Sequence, residues 1–158
     1  MAVDVLSIKN SLKNLLEKNN TNTSNYDIST DLVSRVKKIS SANSKKLPVL
    51  KLDYPVVFVE LKNNKDSHIE MGNTARRDTE ISIDIVPVID YGMGTTEAQE
   101  NSDDECFQLS QNIQYLLRNY ITLSSTVDSC IIDNVDYDID EGTYNSQSRI
   151  SLLIKKRG

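Results

Sequence analysis

Apolar side chains recur at helical spacing along the first stretch of the chain. Val5, Ile8, Leu12, Leu15 and Leu16 fall at i, i+3, i+7, i+10 and i+11, one face of a 3.6-residue period, which predicts an amphipathic helix. Asp4 is placed to cap it. The polar run from Asn19 to Asn25 ends it, because short polar side chains compete for backbone hydrogen bonds. Ile28, Leu32, Val36 and Ile39 return to helical spacing, with Ser29 or Asp31 as a cap, and a short second helix is the preferred reading. The β-branched residues and serines there also allow a strand over 33–41.

The pattern then changes period. Pro55 to Leu61 is β-branched and aromatic, with proline at a strand's first position. Ile81 to Ile89 alternates isoleucine with polar residues, as a half-buried strand does, and Pro87 suggests an edge position or a bulge. The polar connection from Lys62 to Asp78 far exceeds a hairpin loop of about 2–5 residues. It reads as a mobile segment, one ordered by a partner, or an arm that extends its strands toward a neighbour. Ser102 to Glu105 forms a capping box, with Thr96 and Gln99 as an earlier start, before Cys106, Leu109, Ile113, Leu116, Leu117 and Tyr120 mark a helix face. A closing hairpin is expected from strands over 127–139 and 148–154, joined by the turn formers of 140–145. These elements predict an α+β fold in one domain over 1–158, ordered α-(α)-β-β-α-β-β. Helices would pack on one face of an antiparallel, about four-stranded sheet.

Composition adjusts this picture in a few places. At 158 residues and 38% hydrophobic, the chain holds one core and an ample share of polar surface. Crossing a membrane needs about 18 consecutive apolar residues, and no such run occurs. The start, Met1-Ala2-Val3-Asp4-Val5, lacks a basic region, so no signal peptide is expected. The Asn-x-Ser/Thr matches at Asn19 and Asn22 then carry no meaning. A net charge of −5 with scattered basic pairs argues against nucleic-acid binding. Cys106 and Cys130 sit in apolar patterns and read as small buried hydrophobes in a reducing compartment.

Candidate chemistry is sparse. Asp136, Asp138 and Asp140 match the first oxygen positions of an EF-hand loop, but Glu141 stands where that loop needs glycine and Gln147 where it needs glutamate. They read instead as the polar side of a strand. His68 is the only histidine and lies in a polar stretch without a partnering base. Neither cysteine has a neighbouring base, and Gly92-Met93-Gly94 lacks the lysine of a phosphate loop. The expectation is no catalytic residue, no cofactor and no metal. Charged clusters remain as candidate subunit-interface positions, where they would set register more than affinity. They are Arg76 and Arg77 before the alternating strand, His68 and Glu70 in the polar connection, and Asp103, Asp104 and Glu105 at the helix start.

The run Asp53-Tyr54-Pro55-Val56-Val57-Phe58-Val59-Glu60 resembles the tyrosine–proline–aliphatic strand of tailed-phage neck proteins. Arg76-Arg77 followed by Thr79-Glu80-Ile81-Ser82-Ile83-Asp84-Ile85 is similar to their arginine-led second strand. With the later helix and hairpin, the chain over about Ala2 to Lys156 resembles the tail terminator and tail completion family. The resemblance implies a structural, non-enzymatic virion protein, assembled in the host cytoplasm into a hexameric homo-oligomeric ring. Its partners would be copies of itself, the tail tube protein and the head–tail connector or adaptor proteins. DNA would pass through the channel without specific binding, past an acidic lining that repels phosphate. A connector-adaptor ring of other symmetry and a small ligand-binding α+β domain are the alternatives. The Lys62–Asp78 and Asn19–Asn25 stretches depart from the family pattern.

Overall fold

The first helix, α1 (Val5–Lys18), forms where the apolar period places it, with Ile8, Leu12, Leu15 and Leu16 buried. The Asp4 carboxylate accepts the Ser7 backbone N–H at 3.0 Å, satisfying one donor that the first turn leaves unpaired. At the other end Asn19 closes the helix, its backbone and side-chain amides both donating to the Leu15 carbonyl. This computed structural model describes residues 4–21, 26–30, 32, 35–41, 54–68, 77–89, 96–121, 123, 127–137 and 146–157, apart from the side chains of 66–68, 77 and 96–101.

The expected second helix is absent from the described part of its segment. Residues 28–30 form a turn in which the Asp27 carboxylate accepts the Ser29 N–H, and strand β1 (Lys38–Ser40) follows. The helical spacing had nevertheless picked out inward positions, since Ile28, Val36 and Ile39 are buried and Leu32 partly so. Tertiary bonds claim the backbone groups that a helix would need. Lys37 N–H donates to the Pro55 carbonyl, and the Asn20 side chain donates to the Val36 carbonyl. The β-branched residues and serines then settle into the strand that was the less favoured reading.

Strands β2 (Val56–His68) and β3 (Arg77–Ile89) form a long antiparallel hairpin. The stretch from Lys62 to His68, and from Arg77 onward, is therefore paired strand and not connection. Its side chains from Leu61 to Lys65 are exposed, so the apolar alternation that betrays a strand never appears there. A bulge at Lys62 shifts the register between Leu61 and Asn63.

Helix α2 (Thr96–Asn119) begins at the earlier of its two expected starts, which puts Ser102 and Glu105 inside the helix and not at its cap. Cys106, Leu109, Ile113, Leu116 and Leu117 are buried as expected. Beyond the helix, Leu123 adopts a left-handed φ of 47°, unusual for a side chain with a Cβ, while 3% exposed. Strands β4 (Ser129–Asp136), β5 (Ser146–Gln147) and β6 (Arg149–Arg157) complete the sheet.

The chain is α+β, and its described residues form two helices and a mixed six-stranded sheet in the order β1-β2-β3-β6-β4, with β5 paired to β3. The four expected strands are present, but β1 adds a parallel edge and β5 a short rung. Pro87 lies on a central strand and not an edge. The β3–β6 ladder ends at Ile85 and the β3–β5 ladder starts at Val88, so its missing N–H falls in the gap between them. Both helices share one core with Val57, Val59, Ile81, Ile83, Ile85, Ile150, Leu152 and Ile154. These alternate positions place α1 and α2 on the same sheet face. Each fully buried leucine or isoleucine there contributes about 1.5–3 kcal/mol.

Candidate interaction surface

The sheet face turned away from the helices is built from the intervening positions of the same strands. Val56, Phe58, Val86 and Val88 form a second buried apolar cluster there, with Tyr54 packed at its margin. The next rung inward is charged. Glu60 pairs across the strands with Asp84, and both are nearly fully buried. Two carboxylates facing one another would repel, and Arg149 from β6 offsets that repulsion by bridging them. Its Nη1 donates to Asp84 Oδ2 at 2.7 Å and to Glu60 Oε2 at 3.0 Å. Burial pulls the guanidinium's pKa down, but the hydrogen bonds and charges of Asp84 and Glu60 outweigh it and leave the pKa above its ordinary value. Lys62 Nζ reaches Asp84 Oδ2 at 3.4 Å from a half-exposed position, where solvent screens most of the gain. This network ties β2, β3 and β6 together.

The sheet also ends in two open edges. β1 covers β2 only along Val56–Phe58, so among the described residues β2 has no outer partner from Val59 to His68. β4 closes the opposite end and has none on its far side among those residues. The β2 edge carries exposed Lys62 and Lys65, and the β4 edge carries exposed Asp133 and Asp136. Beside β4, Phe107 of α2 and Tyr137 make an edge-to-face pair with centroids 4.9 Å apart, both exposed. Between α1 and the residues after α2 lies a cleft of about 230 Å³, lined by Leu15, Lys18 and Asn19 on one side and Tyr120 and Leu123 on the other.

The sequence-predicted interface positions separate into three groups. His68 and Arg77 are direct cross-strand partners at the far end of the β2–β3 hairpin. Arg76 and Glu70 lie outside the described residues. Of the α2 carboxylates, Asp104 is exposed, Glu105 is buried, and Asp103 accepts a hydrogen bond from the Ser146 hydroxyl, tying α2 to β5. The EF-hand candidate Asp136 stands exposed at the end of β4, where Asn134 donates to it at 3.1 Å, while Asp138, Asp140 and Glu141 lie outside the described residues. Among the described residues, no three His, Cys, Asp or Glu side chains are grouped to hold a metal, and no helix is long and apolar enough to cross a membrane.

Sequence reasoning missed the Glu60–Asp84–Arg149 network. Alternation gave Asp84 a solvent-facing reading, because period-two patterning separates the two faces but does not reveal that both are covered. The one available signal was Glu60 closing an otherwise unbroken apolar run. No protein-family model matches the chain, and no curated protein matches it.

Proposed function

We propose that this chain is a structural subunit of a homo-oligomeric ring, six-fold, at the head–tail junction of a tailed phage. The ring caps the tail tube, joins it to the head connector and leaves a channel for DNA. The observation that carries this reading is the β2–β3 hairpin. Beyond the bulge at Lys62, Asn63 to His68 pair with β3 residue by residue, yet the stretch is polar and, among the described residues, uncovered along its outer edge. A monomer gains little by extending an ordered polar strand beyond its core, and an assembling subunit gains a docking surface. The element order, one helix before the long hairpin and one before the closing strands, fits the tail-terminator plan. The chain's net charge of −5 favours a lumen along which phosphates slide without sticking.

The test is capping. Purified chain is added to uncapped, polymerising tail tubes, and the tube ends are imaged while tube length is followed. A ring on one end of each tube together with arrested growth supports the reading. Bare ends and unchanged growth at saturating chain would overturn it.

A further inference from the structure

We propose that copies of this chain join head to tail through their sheet edges, the outer part of β2 on one copy pairing antiparallel with β4 of the next. The inference deepens the ring reading and rests on it only for closure of the assembly.

The two edges suit one another in length and direction. β2 is open from Val59 to His68 among the described residues, and β4 runs from Ser129 to Asp136. Unpaired N–H and C=O groups along such edges are a template for another strand. β2, β3, β6 and β4 follow one another by antiparallel steps, so β2 and β4 run in opposite senses within a sheet. A rotation that brings one sheet against the end of the next preserves those senses, so β4 meets β2 antiparallel. The new strand would continue in line with β1, which already occupies the first part of that edge.

Charge decides which edges meet. The β2 side presents Lys65, with Lys62 beside it already turned to Asp84, and Lys37 and Lys38 extend it along β1, all of them exposed. β4 has exposed Asp133 and Asp136 and no basic residue. Two β2 edges would bring lysines together, and two β4 edges would bring aspartates together. Only the unlike pair attracts. A register that keeps every side chain on its own sheet face sets Lys65, which pairs with Glu80, opposite Asp136, which pairs with Arg149. Each strand has a register shift near these charges, at Lys62 and at Asp133. Lysines and bulges ordinarily discourage edge pairing, but an acidic edge evades the first of these defences. A contact between unlike surfaces propagates head to tail and closes into a ring when its rotation closes.

Cross-linking tests the pairing directly. In the variant Lys65→Cys/Asp136→Cys the new thiols lie on opposite edges of one sheet, so a disulfide between them joins different copies. The native Cys106 and Cys130 are buried and stay out of the exchange. Mild oxidation is expected to give a ladder of multimers on a non-reducing gel that collapses on reduction, whereas either single variant stops at dimers. In parallel, Lys65→Glu and Asp136→Lys should each weaken self-association by roughly five- to tenfold, and the combined swap should restore most of it. The pairing is overturned if the double-cysteine chain gives no ladder, or if the wild type stays monomeric at every concentration, or if both charge variants associate as the wild type does. A chain that caps tail tubes without a ladder overturns only this inference. A chain that gives the ladder and caps nothing removes the tail-junction reading and leaves the edge pairing in place.

Discussion

Glu60 on β2 and Asp84 on β3 stand directly opposite one another, and a single guanidinium, that of Arg149 on β6, donates to both. Removing the cation would leave two buried carboxylates facing each other. Arg149→Met is therefore expected to cost about 3–5 kcal/mol, measured by urea denaturation. A loss below about 1 kcal/mol would show that water already reaches the pair. Replacing all three residues by apolar side chains of similar volume should recover most of the loss.

A second anchor joins distant parts of the chain. The Asn112 side chain on α2 donates to the carbonyls of Ile28 at 3.1 Å and Thr30 at 2.8 Å, and Gln108 donates to its oxygen. It holds the turn that replaces the expected second helix. Asn112→Ala should destabilise by about 1–3 kcal/mol and raise hydrogen-exchange rates in residues 27–30. Unchanged exchange there would assign the turn's order to Ile28 burial alone.

These two anchors mark the boundary of what the sequence made legible. Periodicity located α1, most of α2 and the helix-facing residues of β2, β3 and β6, because burial on one face writes itself into spacing. It misread 28–41, where inward residues at helical intervals are held by a turn and a strand whose hydrogen bonds come from Asn20 and Pro55. It also stopped β2 at Leu61. From Lys62 to Lys65 the strand is exposed on both faces, and no pattern distinguishes such a strand from a loop. The candidate surface was half visible. The charged residues could be read, but Glu105 turned inward and Asp103 toward Ser146, while the pairing of lysine and aspartate edges needed the strand order.

The thiols give a prediction in pH. Burial pushes Cys106 and Cys130 up from 9.0 to about 12, so both are protonated thiols in the folded chain at neutral pH. Native protein should resist alkylation that proceeds readily in urea. Below pH 9 neither thiol contributes a slope, because folded and unfolded chains both hold the proton. Between about pH 9 and 12 the unfolded chain loses protons that the folded chain keeps, so stability falls as pH rises. Cys106→Ala/Cys130→Ala should flatten that fall, as seen in denaturation midpoints across the range.

Core and surface leucines should part sharply. Leu116→Ala, at a fully buried position of α2, should cost about 2–5 kcal/mol, whereas Leu6→Ala on the exposed side of α1 should stay within about 0.5 kcal/mol. Thermal or chemical denaturation of the two variants checks the assignment of faces.

The central claim is that open sheet edges make this chain an assembling subunit. Native mass spectrometry of the purified chain, alone and with tail-tube rings, tests it most directly. A closed species at about six times the 17.8 kDa subunit mass is expected, lost when Asp136→Lys is introduced and regained when Lys65→Glu is added to it. A single species at 17.8 kDa under every condition, tube rings included, would contradict it.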